Sequence, residues 1–239
     1  MVEKNCLNCE SPLEKGQKFC PRCGQSAKVK RLNIREIRKD VLTKFLHTDS
    51  GIIHLTRELA LRPGVVALEY VQGKRKKYYN PLKYLTLSAG ISVFINEYFH
   101  LMEAASGKSN PGTEIATRYF NLIILLSVPV AACFTWLLFR KKGFNYAETL
   151  SLHAYLGGFR TVFFIVIFTP LVVWFREYYY TCLMIYLVAW IVYTAWAKVQ
   201  FFGGPVWLTV LKAVLVIFFN QVVVSIGIIA AIIIPRLLR

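Results

Sequence analysis

Acidic side chains are scarce: 13 Asp and Glu stand against 29 Lys and Arg over 239 residues, a formal charge of +16. A surface this basic is unsuited to basic partners and favours anionic ones, membrane headgroups or nucleic acid. Also missing are a Gly-rich phosphate loop, a nucleophile elbow, a His-Glu-x-x-His helix and a pair of catalytic carboxylates. An enzyme reading, in the form of an intramembrane enzyme acting on lipid, therefore stands last of three. No segment near the start has the basic, apolar and small-residue order of a secretory signal, so the first apolar helix is expected to serve as the insertion signal. Charge is nearly absent from the later part of the chain. Residues 1–83 hold 18 of the Lys and Arg and 8 of the Asp and Glu, a net of +10.

Apolar residues fill that space. The chain is 56% hydrophobic with a mean hydropathy of +0.46, too apolar for a soluble domain of this length. Apolar windows long enough to cross a bilayer fall at about 84–101, 119–139, 152–175, 178–197 and 207–234. The expected fold is an all-α polytopic membrane protein of about five transmembrane helices behind a small amino-terminal zinc ribbon built on four cysteines. Its divisions are 1–27 for the ribbon, 28–82 for cytosolic amphipathic and juxtamembrane helices, and 83–239 for the bundle.

The ribbon is read from Cys6, Cys9, Cys20 and Cys23, two Cys-x-x-Cys pairs that aim four thiolates at one tetrahedral ion. Zinc is the expected ion; iron of rubredoxin type would use the same ligands. Four protein sulfurs leave no open position for water or substrate, so the metal is expected to be structural, folding a segment too short to bury a core. Reduced thiols imply a cytosolic amino terminus. Cys133 and Cys182 lie in apolar runs and read as small buried hydrophobes.

Between ribbon and bundle, Ile34, Ile37, Val41 and Phe45 recur at helical spacing among charged residues, an amphipathic helix. A second helix is expected from the Asp49–Ser50 cap to Leu61, and a third opened by Pro63 and ended at Gly73. The cations Lys74, Arg75, Lys76 and Lys77 and the tyrosines Tyr78 and Tyr79 then meet the membrane. They suit anionic lipid phosphates or simply enforce topology, while nucleic acid is the weaker idea because the patch is pressed against the bilayer. Arg62, Glu69 and Lys74 are expected to pair and pin the juxtamembrane helices together. His47, Asp49 and His54 are metal-capable, but no spacing forces them to converge.

Phe45-Leu46-His47-Thr48-Asp49-Ser50-Gly51, then Arg62-Pro63-Gly64, Glu69-Tyr70, Gly73-Lys74-Arg75, Tyr78, Pro81 and Tyr84 resemble an uncharacterised family of bacterial membrane proteins common in Bacteroidetes-type bacteria. Its members are similar in carrying a zinc ribbon ahead of this block. The resemblance covers about residues 6–84 and implies no activity. A remoter likeness to Yip1-type proteins, with a cytosolic amino terminus and five spans, is architectural only.

Inside the bundle, Asn96, Glu97, His153, Arg160, Asn220 and Gln221 are the residues most costly to place in lipid, and they must face protein or water. They serve either interhelical hydrogen bonding or a proton or solute pathway. The leading functional expectation is a non-enzymatic protein of the bacterial inner membrane, amino terminus in the cytosol, whose ribbon and basic helices dock a protein partner or organise anionic lipid. A small transporter or channel comes second. Self-association of the bundle is left open.

Overall fold

The computed structural model describes residues 2–34, 51–99 and 120–237. The amphipathic helix expected around Ile37, Val41 and Phe45, with His47 and Asp49, lies outside the described residues. The chain begins with two short strands, β1 (Val2–Asn5) and β2 (Pro12–Glu14), paired antiparallel with Lys4 opposite Leu13. Helices follow: α1 (Gly51–Leu61), α2 (Pro63–Val71), α3 (Pro81–Phe99), α4 (Phe120–Leu138), α5 (Tyr146–Phe163), α6 (Thr169–Trp174), α7 (Tyr179–Phe202) and α8 (Val206–Leu237).

Local chemistry sets the breaks. Pro63 opens α2, where its missing N–H costs no helical bond. The Asn80 side chain accepts from Leu82 N at 3.0 Å and Lys83 N at 3.3 Å, capping α3 ahead of Pro81. At α5, the Asn145 side chain accepts from Glu148 N while the Glu148 carboxylate accepts from Asn145 N, a complete capping box. This box starts the helix at Tyr146, six residues before the apolar window expected to begin at Leu152. Between α5 and α6 the helix widens into a π turn, Phe164–Phe168. Pro170 lacks the amide that an α-helix would bond to Val166 O, and the wider turn absorbs the loss. Gly203-Gly204-Pro205 ends α7.

Three helical stretches among the described residues are long and apolar enough to cross a membrane: Tyr146–Val172, Tyr179–Phe202 and Val206–Ala230. Two further apolar stretches, Pro81–Ile95 in α3 and Leu125–Leu138 in α4, are shorter. Helix α5 is the central post, packed along α3 and α4 and touched by α1 and α2. Nearly every residue from Ala147 to Gly158 is buried, so protein rather than lipid surrounds the first three turns of a membrane-length helix. By contrast, α8 packs on α4 and α7 along one side only, and 11% of its apolar stretch is buried among the described residues. Cys182 is buried, but Cys133 is exposed on α4, correcting its expected burial; a thiol is apolar enough to face outward there.

The largest core cluster is a collar at one end of the bundle. Leu55 and Leu59 of α1 and Val66 and Tyr70 of α2 pack against Leu152 and Tyr155 of α5 and Phe201 of α7. Tyrosine hydroxyls tie the collar to the long helices. Tyr155 Oη donates to Tyr79 O at 2.7 Å, and Tyr193 Oη donates to Leu59 O at 2.9 Å. A Cβ on Gly64 would stand 2.0 Å from Ala197 O, so only glycine lets α2 lie on the α7 backbone. Gln200 of α7 completes this joint by accepting from Gly64 N at 2.9 Å, the first turn of α2.

Candidate metal centre and the loop it holds

The ribbon repeats one turn twice. Cys6 O accepts from Glu10 N and Cys20 O from Gly24 N, each at 2.9 Å, while Cys6 N donates to Ser11 O at 2.9 Å and Cys20 N to Gln25 O at 2.8 Å. Glu10 and Gly24, each following the second cysteine of its pair, both have left-handed φ, 61° and 69°. The two knuckles thus face each other with their sulfurs inward. All four Sγ atoms lie within 4.8 Å of one another, and the crossed pairs Cys6–Cys23 and Cys9–Cys20 stand at 3.6 Å. A tetrahedral ion with metal–sulfur bonds of about 2.3 Å needs sulfurs roughly 3.8 Å apart. The donor set fits a metal ion, and its four sulfurs close the coordination shell. Hydrogen bonds from Ser11 hold the Cys9 thiol down at about 6, and desolvation pushes Cys23 up to about 11. A bound cation would favour the thiolate form of all four sulfurs.

Two side chains of the knuckles leave the ribbon and grip the basic loop. Asn8, between Cys6 and Cys9, accepts from Lys77 N at 3.0 Å. Gln25, buried just after the second knuckle, accepts from Arg75 N at 3.1 Å and Lys76 N at 3.2 Å through Oε1, and its Nε2 donates to Gly73 O at 2.8 Å. Three successive amides, Arg75 to Lys77, are thereby bonded to the ribbon. Gly73 has φ +117°, and a Cβ there would meet Leu7 at 2.9 Å. The linker is also tied down: Arg75 Nη2 donates to Lys30 O at 2.6 Å. Arg31 forms a two-pronged ion pair with the buried Glu148 at 2.7 and 2.8 Å.

The cations of this loop are partly committed inside the molecule. Lys74 and Lys77 both reach Glu69, at 3.1 and 2.9 Å, and Tyr78 Oη donates to the same carboxylate. Burial pushes the Glu69 carboxyl up, but the hydrogen bonds from Lys77, Tyr78 and Lys74 outweigh it and hold the group at about 2. The expected Glu69–Lys74 pair is present; Arg62 pairs instead with Glu58, one turn away on α1. Lys76 is exposed, and Tyr79 is half-buried against the collar core.

Of the polar residues expected inside the bundle, His153, Arg160, Asn220 and Gln221 make no contact with one another among the described residues. His153 Nε2 lies 2.7 Å from Thr135 Oγ1 of α4. Arg160 Nε donates to Tyr186 Oη at 3.0 Å, with its guanidinium 5.3 Å from the Trp190 ring. Asn220 and Gln221 sit on α8, Gln221 exposed and Asn220 with a buried Oδ1 that no donor among the described residues reaches. Asn96 and Glu97 lie in the last turns of α3.

One residue escaped the sequence reading. Lys198, one residue past the apolar window expected to end at residue 197, lies inside α7 at 1% exposure, and no hydrogen bond or ion pair reaches it among the described residues. Its signal was present. Helical neighbours Thr194, Ala195, Phe201 and Phe202 form one buried face.

A family model described as a protein of unknown function, DUF3667, matches residues 49–93. The match begins just before α1, passes through the collar helices and the basic loop, and ends within α3. No curated protein and no solved structure matches the chain.

Proposed function

We propose that this chain is a non-enzymatic multi-pass protein of the bacterial inner membrane, its amino terminus in the cytosol, in which a structural zinc ion builds a platform for a protein partner or for anionic lipid. The observation that carries this reading is the grip of Asn8 and Gln25 on the three amides of the basic loop. The metal centre is thereby wired to the collar, and its closed sulfur shell suits a structural rather than a catalytic task. Zinc is favoured over iron because the site needs only geometry and charge. Helices α3 and α4 complete five spans, and the cations gathered at the collar end support placing that end in the cytosol. The family-model match at residues 49–93 overlaps part of the block on which the resemblance rests and leaves the ribbon outside it.

Purified from membranes in mild detergent, the protein should carry one zinc per chain by elemental analysis. Changing all four knuckle cysteines to serine should abolish the metal, and with it retention of whatever protein partner or lipid the ribbon platform itself holds. Wild-type protein without metal, or a serine variant with an undiminished complement of partner and lipid, would sink the reading.

A specific observation favours a second reading, the small transporter or channel. Lys198 is buried with no hydrogen bond or ion pair among the described residues, and His153, also buried, bonds Thr135. An unpaired cation inside a bundle is costly, and such costs are often kept for a solute or proton route. In sealed vesicles, Lys198→Met should then abolish pH- or solute-driven flux that the wild type supports, while the four-serine variant leaves it intact.

A further inference from the structure

The loop that the sequence marks for lipid has its ammonium groups at Lys74 and Lys77 held by Glu69 and its backbone held by the ribbon. Uncommitted positive charge lies elsewhere at the same end. Arg140, Lys141 and Lys142 form an exposed 3-10 turn closing α4, and Lys212 stands about one and a half turns into α8. None of the four makes an ion pair among the described residues.

All four stand where α4 ends and α8 begins, at the head of one seam. Helices α4 and α8 pack along each other, with Phe134 and Phe219 stacked at 5.5 Å. At its head, Lys212 Nζ lies 5.1 Å from the Phe139 ring and the Arg140 guanidinium 5.4 Å from the Trp136 ring. Lys142 Nζ crosses to within 2.8 Å of where a Cβ on Gly204 would stand, bridging to the turn that opens α8. Trp207 is 71% exposed beside it. Below, Leu137, Val214 and Phe218 present exposed hydrocarbon on the two helices. The nearest acid in sequence, Glu148, is already taken by Arg31.

We propose that the head of the α4–α8 seam binds the phosphate of an anionic phospholipid, with Arg140, Lys142 and Lys212 around the headgroup and the acyl chains along the exposed faces of both helices. Arg140 offers a planar fork suited to phosphate oxygens. Lys212 starts below the turn and reaches upward by extending its stem along apolar surface. Aromatic rings at Trp136 and Trp207 suit the headgroup level. The inference rests on reading this end as a membrane face, and deepens it by moving the lipid site from residues 74–77 to the seam.

The test delipidates the full-length protein in detergent, then adds phosphatidylglycerol, phosphatidylcholine or inorganic phosphate and counts retained molecules by native mass spectrometry. Wild type should retain phosphatidylglycerol about tenfold over phosphatidylcholine. Arg140→Gln/Lys142→Gln/Lys212→Gln should remove that preference with zinc content and melting temperature unchanged, whereas Lys74→Gln/Lys77→Gln should keep it. Equal retention of the two lipids by wild type, or undiminished preference in the triple variant, overturns the proposal. Displacement of phosphatidylglycerol by inorganic phosphate at equal concentration would mark a soluble-phosphate site and overturns it too. The four-serine variant separates the two readings: preference kept without zinc supports the seam whatever becomes of the platform, and preference lost places the lipid on the ribbon instead.

Discussion

Glu69 gathers Lys74, Lys77 and Tyr78 at once beside the collar. Its carboxyl is held at about 2, below its usual value of 4.5, so its contribution to stability is complete above about 4.5 and fades as pH falls toward about 2. Glu69→Gln should cost about 2 kcal/mol at neutral pH, after allowance for partial exposure, and should flatten the acid limb between those values. Thermal melts across a pH series would check both. Gly64→Ala should be harsher, since its new methyl meets a backbone carbonyl that cannot rotate away; a loss above about 3 kcal/mol, or failure to assemble, is expected in a chemical melt. Lys198→Met should move the other way. Replacing a buried ammonium that no described residue pairs by an apolar side chain of similar length should raise the melting temperature, and an unchanged or lower value would argue that something pairs with it.

At the level of elements, the sequence is most readable where neighbours in the chain decide the outcome. The Cys-x-x-Cys spacing, Pro63 at the head of α2 and the break at Gly203-Gly204-Pro205 all act within a few residues. Helix α5 began earlier than its apolar window because a capping box, not hydropathy, sets its start. Long-range polar joints were illegible. Nothing near Asn8 or Gln25 reveals that their partners lie 69 and about 50 residues later, and a hydropathy window that stops at residue 197 leaves Lys198 out without knowing which way its helix faces. The collar block, by contrast, gains a physical account: Arg62 braces α1, Gly64 admits α7, Glu69 gathers the loop and Gly73 makes room for the ribbon. Asn8→Ala/Gln25→Ala should therefore keep its metal yet open the loop at Lys74–Lys77 to trypsin, with cleavage rising at least about tenfold in a timed digest.

Across the whole molecule, order of assembly follows from the joint between Gly64 and Gln200. Its partners are 136 positions apart, and Arg31 meets Glu148 across 117. The sulfur knuckles, spanning Cys6 to Cys23, need nothing downstream and can take up their ion as soon as they leave the ribosome. The joint between Gly64 and Gln200 must wait until α7 has been made, a delay of about ten seconds or more at ordinary rates of synthesis. A nascent chain arrested before residue 190 would thus display a finished metal domain on an unfinished membrane half, its future contact surface bare and open to chaperones or to the wrong neighbour.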